Sequence, residues 1–267
     1  MNSFTINRRV SDSLSFVYSR GIENFARSTI HPWHELLYYI DGDVTFLSEH
    51  FQDELQPGSF VLIPRGSFHH FFLRDPARFT RLAIYLSDDD FLPVIAHSGV
   101  LSSLRILPSP SSALRYPLER ICRALEAGTN DERCTALLTG AVSLLLAELA
   151  LTDAASESPP RRATDPLIAD CIRHIDTHPG DDLRTETLAQ QLAVSASTLQ
   201  HRFKCELGVP LYRYITERRL TYARRLIAQG ENPTGVYAAS GYNDYSAFYR
   251  AYCKYFGHAP SDDKGKV

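Results

Sequence analysis

LRTETLAQQLAVSASTLQHRFKCELG, residues 183–208, is the stretch on which the reading of the fold turns. Leu183, Leu188, Ala189 and Leu192 give a short helix one apolar side, and that helix stops near Val194. Ser195 follows, a residue type that accepts the orphan N–H bonds of a new helix. The new helix carries Leu199, Phe203 and Leu207 at i, i+4 and i+8, so these three face inward. Ser197, Gln200, His201 and Lys204 then project from the other side, with Arg202 at the border. Such side chains bond base edges and phosphates.

A second stretch, PTGVYAASGYNDYSAFYRAYCKYFG at 233–257, repeats the plan. Asp244 is its natural N-cap, and Phe248, Tyr252 and Tyr255 form the inward stripe. Tyr245, Ser246, Ala247 and Arg250 are left at the exposed N-terminal half, the part that a recognition helix uses. Between the two lies PLYRYITERRLTYARRLIAQG at 210–230, a helical pattern closed by Gly230. Its roughly 20 residues predict a rod of about 30 Å. Two helix-turn-helix units held that far apart suit one face of a DNA duplex, whose turn is about 34 Å.

The pattern SxSTLQxRFKxELGxPLYxYxxxRRLxxARRLI followed by GYxDxSAFYRxYxKxFGxAPS resembles the DNA-binding domain of AraC-type transcription factors over residues 165–261. The resemblance implies base contacts from Ser197, Gln200 and His201 in the first unit and from Tyr245, Ser246, Ala247 and Arg250 in the second. Arg202 and Lys204 are expected on the DNA backbone. Double-stranded DNA and RNA polymerase are the macromolecular partners it implies, besides a second copy of the chain. The chain also departs from the family. His201 stands where Arg is usual, and imidazole carries at most a partial charge near neutral pH. Tyr237 replaces a small residue four before the turn glycine, Gly235 sits inside the same helix, Cys253 replaces Lys, and Asp263-Lys264 replaces an aromatic-Arg pair. The first unit is therefore expected to carry more of the specificity, and the second to be splayed or less stable.

The net charge of −3 hides an asymmetry. Residues 1–160 hold 13 Lys and Arg against 19 Asp and Glu, whereas residues 181–257 hold 10 against 7, so the basic excess lies where the helix-turn-helix units are. The five cysteines are scattered without a CxxC, which argues against disulfides and a zinc site of cysteines. The start MNSFTINRRV has no apolar core of an export signal, and the apolar run 136–151 is short and broken by Glu148, so a cytoplasmic chain without a membrane span is expected. DAASESPPRRATD, residues 153–165, reads as a flexible linker.

Ahead of the linker, residues 116–127 and 131–151 form two Leu-rich helical patterns around Gly128. Their stripes either cover the adjacent sheet or, as they offer more apolar face than one small barrel can cover, form a homodimer interface, and the interface is the reading preferred. Residues 1–110 alternate in short runs such as ELLYYI, SFVLIP and TRLAIYL between turn signals, the cadence of an antiparallel barrel or sandwich. Gly58-SFVLI-Pro64-Arg-Gly66-SF-His69 resembles the second cupin motif, and Glu35, seven before Gly42, matches the first. The expected fold is thus α+β with two domains. A cupin-like antiparallel barrel and an αα-hairpin occupy 1–152, a linker 153–164, and an all-α domain with both helix-turn-helix units 165–267.

Metal cupins hold an ion with two His and one Glu from the first motif and one His from the second. Here His31, Glu35 and His69 match, while Thr29 replaces the first His and Leu73 a later Asn. A small-molecule pocket lined by His31, Trp33, Glu35, Tyr38 and His69, with Tyr39 nearby, is the expected use, with no metal, cofactor or catalytic residue assigned. His34 and His70 alternate away from their neighbours, toward solvent. The function expected is a ligand-responsive transcription regulator. The alternatives are a metal-dependent, dioxygenase-like cupin enzyme fused to a DNA-binding domain, and a barrel that only dimerises.

Overall fold

Side chains alternate across short strands in the first part of the chain, and the strands pair into two sheets. The computed structural model describes residues 3–21, 30–31, 33–87, 99–151 and 162–265. It divides into two units, Met1–Leu47 with Gln52–Arg162, and Ser48–Phe51 with Ala163–Val267. Most of the expected linker and Thr29 lie outside the described residues.

In the first unit β1 (Phe4–Arg9), β2 (Leu14–Arg20), β3 (His34–Asp41), β6 (Phe60–Ile63), β8 (Thr80–Leu86) and β9 (Arg105–Leu107) form one sheet in the order β1-β2-β8-β3-β6-β9. β5 (Phe51–Leu55), β4 (Val44–Ser48) and β7 (His69–Leu73) lie side by side in a second sheet. The expected antiparallel barrel thus takes the form of two sheets. In the first, β3 pairs antiparallel with β8 so that Glu35 faces Tyr85 and Tyr39 faces Arg81. A strand repeats every two residues, so this register sends Glu35, Arg81 and Tyr85 to one side and Leu36, Leu82 and Ile84 to the other. Gly42 makes the turn after β3 at φ 136°, and a Cβ there would lie 3.2 Å from the Phe79 Cα.

The leucine side of the first sheet is covered by α1 (Ser112–Glu126) and α2 (Glu132–Leu151). Leu118, Ile121, Leu125, Leu138, Val142, Leu145 and Leu149 are all buried there with Leu36, Leu82 and Ile84. Of the two readings of the stripe, this is the covering of the adjacent sheet: most of it is the core of the unit itself. Leu144 and Leu151 remain exposed on α2, at 43% and 81%, with Tyr116 on α1 at 61%. Among the described residues α2 is the one helix long and apolar enough to cross a membrane, and its inner side is committed to this core.

The second unit is helical: α3 (Pro166–Thr177), α4 (Thr185–Gln191), α5 (Ala196–Leu207), α6 (Leu211–Ala228), α7 (Pro233–Ala239) and α8 (Tyr245–Phe256). Ser195 caps α5 by accepting from Thr198 N, and Asp244 caps α8 by accepting from Ala247 N, as their positions predict. Leu199, Phe203 and Leu207 are fully buried. The 18 residues of α6 span about 27 Å and serve both heads. Tyr214 in its first half packs edge-on to Phe203, while Leu220, Ala223 and Ile227 in its second half join Val236, Phe248 and Tyr252. Tyr255 is only half-buried. The turn between α4 and α5 holds Ala193 at φ 55°, a left-handed conformation in which L side chains are strained.

In α7 the inward places are taken by Pro233 and Val236, while Tyr237 turns half outward, edge-on to Tyr245 at 5.8 Å. Gly235 faces open space, and a Cβ added there would meet nothing within 4 Å. Gly235→Ala should therefore stabilise the second head by about 0.5 to 1 kcal/mol, since it removes helix-interior glycine entropy without a clash. Chemical denaturation checks this; a loss of stability would mean that α7 is not helical at 235.

Candidate functional site

In the first unit the register of β3 aims Glu35 away from the helices. His31, just before the strand, places Nε2 2.8 Å from Glu35 Oε2, and His69, opening β7, places Nε2 3.2 Å from the same oxygen. The three residues predicted from the cupin-like motifs are thus brought together. Glu35 and His69 are each 1% exposed. Burial alone would raise the Glu35 carboxyl, but the bonds to His31 and His69 outweigh it and hold the group well below its ordinary range. Burial pushes the His69 imidazole down, against the pull of Glu35.

Both imidazoles are anchored by their other nitrogen. His31 Nδ1 lies 2.8 Å from the Trp33 carbonyl and His69 Nδ1 3.3 Å from the Ser67 carbonyl. Trp33 therefore enters the site through its backbone, while the residue as a whole is 36% exposed. Around the trio stand groups that the motifs did not name. Arg81 Nη1 is 3.8 Å from Glu35 Oε1, and its guanidinium lies over the Phe71 and Phe79 rings at 5.9 and 5.6 Å. Tyr85 meets His31 edge-on at 5.5 Å, and burial raises its phenol. Phe46 stacks on His69. The alternation of TRLAIYL would have put Arg81 and Tyr85 on one face; only the pairing with β3 reveals that it is the face of Glu35.

Tyr38 corrects the sequence reading. It lies three residues from Glu35, an odd step along a strand, and so packs with the helix-covered core, where Arg115 and Glu119 are its charged neighbours. Tyr39 takes the inner side instead, with its ring stacked on Phe79 and its phenol pushed up to about 12 by burial. His34 and His70 do not face solvent: they are 5% and 8% exposed, and His34 Nδ1 accepts from the Arg65 N–H.

In the second unit Ser197, Gln200, His201 and Lys204 all stand exposed on α5, opposite the buried Leu199, Phe203 and Leu207. Gln200 Nε2 lies 3.5 Å from the Thr185 hydroxyl, and His201 lies beside Cys205. Arg202 is placed differently from its neighbours. Its Nε donates to Asp165 Oδ2 at 3.0 Å, and Asp165 in turn caps α3 by accepting from Leu167 N. Asp165 is held below its usual range chiefly by that Arg202 bond. On α8, Ser246 and Arg250 are exposed, Ala247 is half-buried, and Tyr245 is half-buried with its ring against Phe248 and Tyr237. Thr198 and Tyr249 are exposed on the same two helices and were not singled out by sequence. A groove of about 460 Å³ beside α3 and α4 is lined by Asp170, His174, His178 and Leu188, none of them an expected site residue.

Residues 188–265 match the family described as "Helix-turn-helix domain", and residues 15–146 the family described as "AraC-like ligand binding domain". An AraC-like transcription regulator of Streptomyces antibioticus is 32% identical over 99 residues, covering 37% of this chain and 33% of that protein. The match thus spans a third of that relative's length. The arabinose operon regulatory protein of Salmonella typhimurium is 25% identical over 221 residues, covering 78% of this chain and 74% of its own. Among solved structures, the C-terminal domain of AraT, a response regulator from Geobacillus stearothermophilus, aligns at 26% identity and TM-score 0.37, over 39% of this chain and 88% of that one.

Proposed function

Because the chain belongs to the AraC-type transcription regulators, with an AraC-like ligand-binding domain ahead of a helix-turn-helix domain, we propose that α5 reads a specific duplex site through Ser197, Gln200 and His201. Lys204 and Arg250 hold phosphates, and Tyr245, Ser246 and Ala247 form the second, weaker head. Arg202, engaged by Asp165, positions α5 on α3. The pocket of His31, Glu35, His69, Arg81 and Tyr85 senses a small molecule, without catalysis. A second copy pairs through the outer side of α1 and α2, and RNA polymerase is the partner at the promoter. The regulator works in the cytoplasm.

The observation that carries this reading is α5 itself: a capped helix with four exposed polar side chains on one side and three fully buried apolar ones on the other. Gln200→Ala is expected to cost about 1 to 3 kcal/mol at the preferred site, selected from random duplexes, and to change binding to random DNA little. Equal losses on both would assign Gln200 to the backbone or to the fold. Arg250→Ala should instead weaken all duplexes alike and flatten the salt slope by about one ion.

A further inference from the structure

Arg219 lies on α6 between the two heads and touches both. Its Nε donates to the Pro179 carbonyl at 3.0 Å and its Nη2 to the Asp181 carbonyl at 2.8 Å. Those carbonyls belong to the loop 178–184 that leads from α3 into α4. Asp182 ties this loop to the first head, accepting from the Arg184 N–H at 3.2 Å and from the Thr187 hydroxyl of α4 at 3.1 Å. The same guanidinium lies against the turn of the second head. Gly241, between α7 and α8, has φ 76°, and a Cβ there would meet Arg219 Cζ and Nη2 at 2.6 Å, so the backbone comes this close only because the residue is glycine. A second close approach runs beside it: a Cβ on Gly180 would lie 2.4 Å from the Ala239 carbonyl at the end of α7. The loop that opens the first head is thus packed onto the turn of the second, with one planar cation bonded to the loop and pressed against the turn.

α6 fixes the distance between the heads, while their rotation about its axis depends on how each packs on its own half. Tyr214 holds Phe203 of the first head, and Leu220, Ala223 and Ile227 hold Val236, Phe248 and Tyr252 of the second. A guanidinium presents its donors in a fixed fork, so two bonds to carbonyls two residues apart hold the loop in angle as well as in distance, which a single ammonium does not. We propose that Arg219 is a positioning residue that locks the two heads in rotation, and so makes the protein selective for the number of base pairs between its two half-sites. The proposal rests on both heads meeting one duplex. One added base pair moves the second half-site by about 3.4 Å and turns it by about 34 to 36° around the duplex axis, since a turn holds about 10 to 10.5 base pairs. A locked pair of heads cannot follow that turn, and an unlocked pair can.

The test uses the full chain and the duplex it selects from random sequence. The two half-sites are located by footprinting, and one base pair is inserted or removed between them. The parent should lose more than about tenfold in affinity on either change, and Arg219→Met and Arg219→Lys less than about threefold. On the unchanged site both variants should bind a few-fold more weakly, because the heads are no longer pre-organised. Arg219→Lys keeps the charge, so its affinity for random DNA and its salt slope should match the parent's. Gly180→Ala wedges the loop off α7 and should flatten the spacing dependence with Arg219 in place; it decides the matter if the Arg219 variants do not fold. A parental spacing penalty in folded Arg219→Lys, or in Gly180→Ala where the Arg219 variants do not fold, overturns the proposal. If the parent itself is indifferent to spacing, the proposal falls with the two-headed reading, whereas α5 keeps its role as long as Gln200→Ala loses site preference.

Discussion

Asp263→Ala is expected to lower the stability of the second helix-turn-helix head by about 3 kcal/mol or more. Asp263 is 3% exposed. Its Oδ2 takes a bond from Arg224 Nε at 2.9 Å and from the Tyr252 hydroxyl at 2.6 Å, and its Oδ1 one from Arg224 Nη2 at 3.2 Å. Truncation leaves a mostly buried guanidinium and a buried phenol without their acceptor, and a stranded charge costs more than the pair contributes when intact. The Arg224 side chain keeps 19% exposure, so water relieves part of the loss and sets it near the lower end of the usual 3 to 5 kcal/mol range. Amide exchange in α7 and α8 should accelerate far more than in α4 and α5, and site-specific DNA affinity should fall. A loss below about 1 kcal/mol would mean that Arg224 and Tyr252 find other partners.

Glu35→Ala is the second large effect, expected at about 3 to 5 kcal/mol in the first unit. It removes the carboxylate that faces His31, His69 and Arg81, whose side chain is 10% exposed. Trp33 fluorescence during denaturation reports this unit alone. The pH dependence follows from the depressed carboxyl. Its contribution is present in full above the ordinary value of 4.5 and fades as the pH falls through the lowered folded value. The His69 imidazole, pushed below 6.5, adds to the same acid loss because it must charge in a buried place. The variant should therefore be less stable than the parent at neutral pH and should show a shallower acid slope. Equal slopes would place the acid sensitivity elsewhere.

Much of the second unit is legible in the sequence because caps and periodicity are local. Ser195, Asp244 and the stripe of Leu199, Phe203 and Leu207 each depend on residues within two turns. Asp263 was read only as a departure from the family pattern; its role as the acceptor for Arg224 depends on a residue 39 positions away. In the first unit the resemblance to the cupin motifs found the trio, but it could not say which face of each strand meets the trio and which meets the helices. His34 and His70 do alternate away from their neighbours, yet the side they turn to is also buried. Tyr38 failed for a simpler reason, since a step of three along a strand changes sides. Arg81 and Tyr85 became visible only through the β3/β8 register. The leucine excess of α2 was read as surplus because the area of sheet it covers follows from how many strands share one sheet.

β3 is a single strand with two clients. Glu35 faces His31 and His69, and the next residue, Leu36, is buried in the core that holds α1 and α2. A shift of Glu35 is therefore passed through one peptide bond to the core in which the inner side of α2 is packed. Under the proposed pairing of two copies through α1 and α2 and the proposed sensing of a small molecule beside Glu35, the two bindings obey reciprocity: the factor by which the ligand tightens pairing equals the factor by which pairing tightens the ligand. Titration of the pocket at dilute and at concentrated protein should then give different midpoints, and their ratio measures the coupling without any DNA present.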